Sequence, residues 1–260
     1  MIKFFDTNFW INSSFYNKEE NESGIGKIKQ IIAGNDISDL IVTNRLALDY
    51  DWNIGNGELL NSNLCKKIDN LYYCYILTPD VYFTYSFDKY LEKAFSDNVR
   101  LFRFFPKHQL FFINDYYMKK IFSILSEKKF PIMLDLKELD ITGNKYFDIN
   151  VLEKILDKNE EMPVILETSL KQCMFNRYYF PLLEKFENLF IEISGMLLVD
   201  QIEGYVEKFG SKRLIFGTNY PDTAPELSTN RILLSEMNES DKENIAFNNI
   251  NNILRGIEIG

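Results

Sequence analysis

The residues of this sequence best suited to acid/base chemistry are its single histidine and two carboxylates. His108, Asp135 and Glu167 each follow a short run of apolar residues, at the point where a strand is predicted to end. Imidazole has an ordinary pKa near neutrality, and two adjacent carboxyl groups can share one proton for transfer. We therefore predict these three residues to be catalytic, with a carboxylate orienting the imidazole.

The elements that must position these residues form a regular alternation. Apolar runs that predict strands cover residues 2–5, 37–43, 71–77, 99–105, 130–134, 164–166, 189–194 and 213–216. Segments of helical period lie between several of them, at 116–128, 149–158, 178–187 and 199–209. Alternating strands and helices indicate a parallel sheet. Eight such units in 260 residues predict a single-domain α/β protein, a (β/α)8 TIM barrel spanning residues 1–260.

A barrel of this kind carries its chemistry where the strands end, so the polar residues at these positions define the candidate site. They are Asp6, Asn8, Asn44, Arg45, Arg103, Lys107, His108, Asp135, Lys137, Glu138, Glu167, Ser169, Ser194, Asn219 and Asp222. A doubly wound dinucleotide-binding sheet is disfavoured, because no glycine-rich turn follows the first strand.

Composition limits the classes of partner. The net charge of −9 argues against nucleic-acid and anionic-membrane partners, which need a basic face. Residues 1–6 lack the apolar core of a signal peptide, and no apolar run is long enough to span a bilayer. Cys65, Cys74 and Cys173 are scattered, which is typical of a reducing compartment. We expect a cytoplasmic protein whose partner is a small-molecule substrate or ligand.

Four segments resemble the amidohydrolase-2 type of metal-dependent hydrolase. Residues 212–221, KRLIFGTNYP, resemble the last-strand motif R-[IV]-L-F-G-[ST]-D-x-P of that family, and residues 244–254 resemble the helix that follows it. Residues 188–195, NLFIEISG, resemble the seventh strand, and residues 100–108, RLFRFFPKH, the fourth. The resemblance implies a TIM barrel with a hydrolase-like site, and a homodimer is compatible with it.

The sequence departs from that family at the positions of the metal ligands. Asn8 and Trp10 stand where the resemblance places an H-x-H pair, and Asp135 and Glu167 replace later histidines. Asn219 replaces the last-strand aspartate, so a zinc centre of the imidazole type is not expected. An alternative site holds Mg²⁺ or Mn²⁺ through carboxylate oxygens, and its ligands are Asp6, Asp135 and Glu167.

Several side chains have a structural interpretation beside the functional one. The substrate-binding candidates are Asn8, Trp10, Arg103 and Asn219. The Trp10 side chain could instead fill the floor of the pocket. Side chains alternate along a strand, so Arg103 points into the barrel only if Leu101 and Phe105 do too.

The acidic and histidine candidates have structural alternatives as well. His108 could fix a loop, and Asp6 could accept structural hydrogen bonds. Asp135 or Glu167 could pair with Arg103 or Lys137 as an internal salt bridge.

Three functions follow from these residues. The favoured one is a metal-independent hydrolase or lyase that uses His108, Asp135 and Glu167. The second is a non-catalytic barrel, a pseudoenzyme that binds a ligand or partner protein. The third is a hydrolase with an oxygen-ligated Mg²⁺ or Mn²⁺ ion.

Overall fold

The computed structural model describes residues 2–12, 18–84, 86–139, 149–168, 176–198 and 200–259. Eight parallel strands form one sheet in chain order. They are β1 (Phe4–Ile11), β2 (Ile37–Asn44), β3 (Leu71–Ile76), β4 (Val99–Phe104), β5 (Ile132–Asp135), β6 (Val164–Glu167), β7 (Leu189–Glu192) and β8 (Leu214–Ile215). The sequence-based prediction of a TIM barrel is confirmed.

Helices connect the strands and pack around the sheet, and the last of them packs against the inner layer of the barrel. They are α1 (Lys18–Gly34), α2 (Arg45–Asp49), α3 (Trp52–Asn61), α4 (Val81–Thr84), α5 (Phe87–Ser96), α6 (Tyr116–Glu127), α7 (Ile149–Lys158), α8 (Asn176–Lys185), α9 (Gln201–Phe209), α10 (Pro225–Leu233), α11 (Glu239–Glu243) and α12 (Asn249–Arg255). In α6 and α7 the residues at helical spacing are buried on one face, as the predicted amphipathic pattern requires. Within the described residues, no helix is long and apolar enough to cross a membrane.

Hydrogen bonds between the segment that follows β8 and β1 close the barrel. The amide of Thr7 donates to the carbonyl oxygen of Phe216 at 3.2 Å, and that of Trp10 to Tyr220 at 2.8 Å. Phe9 and Tyr220 form a parallel bridge, with their rings stacked at 4.5 Å. The sheet therefore has no free edge at this junction.

The first strand is longer than the sequence predicted. The prediction ended it at Phe5, whereas β1 continues to Ile11 with all eight residues buried. Polar residues are tolerated here because Asp6, Thr7 and Asn8 each find hydrogen-bond partners inside the protein. The seventh strand shows the opposite error, since it ends at Glu192 and not at Ser194.

The barrel interior has two layers of different chemistry. The layer toward the amino ends of the strands is apolar, and Ile250 and Ile253 of α12 pack with it. Its strand residues are Phe5, Ile41, Cys74, Leu101, Met133, Ile165 and Ile215. The layer toward the carboxyl ends includes buried Arg103, Asp135, Glu167 and Glu192. The polar side chains are thus concentrated at the end where barrels of this fold carry their sites.

Candidate functional site

Three acidic residues lie side by side at the carboxyl ends of β5, β6 and β7. The strand register pairs Asp135 with Glu167, and Glu167 with Glu192. The predicted adjacency of Asp135 and Glu167 is therefore confirmed, and a third carboxyl group extends the row. All three side chains are nearly inaccessible to water. Buried carboxylates need partners, and each of these has one.

Arg103 on β4 is the cationic partner of this row. Its guanidinium donates through Nη2 to Oε2 of Glu167, and through Nη1 to Oδ1 of Asn8 at 2.8 Å. Leu101 and Arg103 both lie inside the barrel, which resolves the orientation that the sequence left open. Arg103 is only 1% exposed, and its Nε has no hydrogen-bond partner among the described residues.

Asn8 connects the arginine to the far end of the carboxylate row. Its Nδ2 donates to Oε2 of Glu192 at 3.1 Å, and its Oδ1 accepts from both Arg103 and the indole Nε1 of Trp10. The Trp10 ring lies 4.6 Å from the guanidinium carbon of Arg103, in cation–π contact. The side chain of Trp10 thus fills the site beside the arginine while still lining the cavity described below.

Asp6 lies next to the group formed by Arg103, Asn8 and Glu192, and its hydrogen bonds are structural. Its Oδ1 accepts from the amides of Asn8 and Thr218, at 3.0 and 2.9 Å, and its Oδ2 accepts from the Thr218 hydroxyl at 2.6 Å. Burial raises the pKa of Asp6 to about 6, although these hydrogen bonds favour the carboxylate. The contacts match the structural alternative for Asp6, since they tie β1 to the segment after β8.

Asp135 is held by Lys137, two residues further along the chain. The Lys137 amide donates to Oδ1 at 3.0 Å, and its ammonium lies 2.6 Å from Oδ2. Burial, and then the charge of Glu167, raise the pKa of Asp135 to about 7, while Lys137 opposes the rise. The predicted salt bridges are both present, as Asp135 with Lys137 and Glu167 with Arg103.

Glu192 is a site residue that the sequence analysis missed. Its Oε1 accepts from the Ser194 amide at 2.6 Å, and its Oε2 accepts from the Ser194 hydroxyl at 2.7 Å. Burial, and then the charge of Glu167, raise its pKa to about 8. The sequence contains enough information to find it. If β7 is ended at Glu192 and not at Ser194, Glu192 becomes a strand-end residue that pairs with Glu167.

A cavity of about 350 Å³ opens above the polar layer. Its lining residues come from both ends of the chain and from the middle. They are Trp10, Arg45, Leu48, Arg103, Phe105, Asp135, Lys137, Glu167, Asn219 and Asp222. Every predicted substrate-binding residue except Asn8 lines it, and Asn8 lies directly beneath, bonded to Trp10 and Arg103. Asn219 has a left-handed backbone, with a φ of 54°.

His108 is not brought together with the two carboxylates predicted to orient it. It is absent from the cavity wall, and its side chain is 47% exposed. The Nε2 atom lies 3.9 Å from Oδ1 of Asp49, which is longer than a hydrogen bond. The His108 amide donates to Oε2 of Glu138 at 2.8 Å, so the residue ties together the loops after β4 and β5. This position agrees with the structural alternative.

The oxygen atoms that could hold a metal are already engaged by the chain's own cations and donors. Glu167 pairs with Arg103, Asp135 with Lys137, and the Asn8 oxygen accepts two hydrogen bonds. Across the described ranges, no group of three histidine, cysteine, aspartate or glutamate side chains is arranged to bind an ion. The alternative set of Asp6, Asp135 and Glu167 is accordingly not assembled as a centre, and the residues do not fit a divalent cation.

Comparison with known proteins gives a match at the level of structure. No protein-family model and no curated protein matches the sequence. A Staphylococcus aureus protein assigned provisionally as an amidohydrolase superposes with a TM-score of 0.72 at 16% identity, over 98% of this chain and 100% of its own. The 2,6-dihydroxybenzoate decarboxylase from Rhizobium gives 0.70 at 12% identity, over 98% and 99% of the two chains.

A third structure contains a metal. The dihydroxybenzoic acid decarboxylase from Polaromonas sp. JS666, solved with manganese and the inhibitor 2-nitroresorcinol, gives a TM-score of 0.71 at 11% identity, over 98% and 97% of the two chains. At such identities the likeness shows the fold alone. The resemblance to amidohydrolase-2 barrels that the sequence suggested is therefore confirmed for the fold, which hydrolases and decarboxylases share.

Proposed function

We propose that this chain is an enzyme of the hydrolase or lyase kind, which acts on a small carboxylate-bearing molecule without a metal ion. The observation that carries the proposal is Asp135, a buried carboxyl group in the cavity wall with a pKa of about 7. A group with a pKa near the working pH can both take up and release a proton.

Asp135 and Lys137 act together in this proposal. As a carboxylate, Asp135 removes a proton from the substrate or from a water molecule, and as an acid it returns one. The ammonium of Lys137, 2.6 Å from Oδ2, stabilises the charged form, whereas burial and Glu167 stabilise the neutral form. These opposing influences keep both protonation states accessible near neutral pH.

The rest of the cavity suits a flat, anionic substrate. The rings of Trp10 and Phe105 supply apolar wall, and the side chain of Arg45 lies over Trp10 at 5.6 Å. Arg45 is 40% exposed and pairs with Asp49 at 3.4 Å and Asp222 at 3.8 Å, so an entering carboxylate would compete with these two aspartates for its charge. Aromatic carboxylates are substrates of decarboxylases that share this fold, which makes hydroxybenzoic acids the first compounds to test.

The test compares wild-type protein with Asp135→Asn on mono- and dihydroxybenzoic acids and their amides. We expect consumption of one of these compounds, followed by NMR, and a loss of kcat of about a hundredfold or more in the variant. The affinity for the compound should change by less than about threefold, because the asparagine keeps the shape of the wall.

The control is His108→Ala, which should keep turnover because His108 lies outside the cavity. Loss of turnover in this variant, at unchanged melting temperature, would show that His108 is needed as the acid/base residue. Binding of these acids by the wild type with no consumption of any compound would identify a ligand-binding barrel and contradict the proposal.

A further inference from the structure

One side chain occupies the centre of the polar layer, and it is a cation. Arg103 bonds directly to Glu167 and reaches Glu192 through Asn8. Its charge also favours the carboxylate form of Asp135. One guanidinium thus acts directly on two acidic residues of the row and is linked to the third through Asn8. No other arginine or lysine among the described residues is as deeply buried.

The residues that surround Arg103 stand at positions where the resembled family has metal ligands. Asn8 and Trp10 correspond to the H-x-H pair, and Glu167 to the sixth-strand histidine. Arg103 contacts all three, two by hydrogen bonds and Trp10 by cation–π stacking. By that resemblance, the guanidinium lies among residues at metal-ligand positions of the family.

Charge supports the same conclusion. Removing Arg103 would leave Glu167, Glu192 and the Asn8 oxygen as a buried set of hard oxygen donors, with Lys137 near Glu167 and Arg231 near Glu192. Such donors are those that Mg²⁺ and Mn²⁺ prefer. With Arg103 present, an entering ion must displace a buried guanidinium and break its hydrogen bonds.

We infer that the guanidinium of Arg103 is a resident cation that takes the place of a divalent metal, such as the manganese bound by one structural neighbour, and excludes such an ion from the site. The inference deepens the proposed function, since it names the positive charge that assists the proton transfer assigned to Asp135.

The experiment measures Mn²⁺ binding by electron paramagnetic resonance and calorimetry, and needs no turnover. Wild-type protein should bind no Mn²⁺ at micromolar concentration. Arg103→Ala should gain one Mn²⁺ site per chain, with an affinity at least about tenfold above wild type and a higher melting temperature when Mn²⁺ is added. Arg45→Ala, which removes an arginine at the cavity mouth, is the matched control and should gain no site.

Competition identifies the location of that site. Millimolar guanidinium chloride should lower the Mn²⁺ affinity of Arg103→Ala, because both cations seek the same place, whereas equal sodium chloride should not. A folded Arg103→Ala variant with no gain in affinity overturns the inference. If that variant does not fold, Mn²⁺ binding by the wild type is the test. One tightly bound Mn²⁺ that is lost in Glu167→Gln overturns the inference, and the absence of bound Mn²⁺ supports it. These binding measurements need no turnover, so their interpretation stays the same if the protein does not catalyse the proposed reaction.

Discussion

The buried carboxyl groups Asp6, Asp135 and Glu192 differ in how the protein compensates them. Asp6 receives only neutral hydrogen bonds, Asp135 has an ammonium group, and Glu192 has Ser194 and Asn8. In each case burial outweighs the partners, so the pKa rises. The site is therefore built to hold protons at a pH where ordinary carboxyl groups have lost them.

This arrangement predicts a pH dependence of stability for Glu192. Its pKa rises from 4.5 to about 8 on folding, so the folded protein keeps a proton that the unfolded chain releases. The stability this gives is present below pH 4.5 and is lost as the pH rises through 8. Between pH 5 and 8.5, Glu192→Gln should lose less unfolding free energy than wild type, by at least about 1 kcal/mol.

Denaturant titration at both pH values measures this difference. Glu184→Gln, at an exposed glutamate of α8, is the control and should follow the wild type. Curves for Glu192→Gln and wild type that run parallel across this range would contradict the assignment of a buried, proton-holding Glu192.

At the scale of elements, the end of β6 and the turn after β7 approach each other closely. A Cβ atom on Gly195 would lie 1.2 Å from the carbonyl oxygen of Thr168. The Thr168 hydroxyl also donates to the carbonyl oxygen of Glu192 at 3.0 Å, so the two segments are fixed together. The glycine thus sets the spacing that brings Glu167 and Glu192 into register.

Gly195→Ala should therefore destabilise the protein by about 3 kcal/mol or more, because backbone must move to admit the methyl group. The matched control is Gly204→Ala in α9, where nothing lies within 4 Å of the added carbon. That change should stabilise by roughly 0.5–1 kcal/mol through helix propensity. Thermal unfolding of both variants checks the pair, and equal melting temperatures would rule out the close approach.

The elements were predictable from sequence to a greater extent than the site. Period and alternation predicted the eight strands, because apolar pattern follows burial. Pattern alone did not predict that β1 continues through Asp6 and Asn8, since those polar residues are buried by partners distant in the chain. Glu192 was missed because a strand end misplaced by two residues moved it out of the list of strand-end residues.

At the scale of the whole molecule, a contact between residues 212 positions apart adds to the backbone hydrogen bonds that close the barrel. The Thr218 hydroxyl donates to Oδ2 of Asp6, and the Thr218 amide donates to Oδ1. No local pattern in the sequence encodes this pairing, which exists only when the first and last strands meet.

Thr218→Val removes the hydroxyl and leaves an oxygen of Asp6 without that donor. The cost of an unsatisfied buried group predicts a loss of about 1–3 kcal/mol, with unfolding still in a single transition. Thr84→Val, at an exposed hydroxyl, is the control and should stay within about 0.5 kcal/mol of wild type. Calorimetry distinguishes these outcomes, and an unchanged Thr218→Val would show that closure does not depend on this contact.

The stacking of Trp10 on Arg103 has an optical consequence. Trp10 is one of only two tryptophans in the chain, and the other, Trp52, lies on α3 with its ring near Tyr90. The fluorescence of an indole depends on the charges and the water around it, and Trp10 has a cation on its face and the cavity at its edge. The protein therefore carries an intrinsic emission probe in its own site, through which occupancy can be followed without a label.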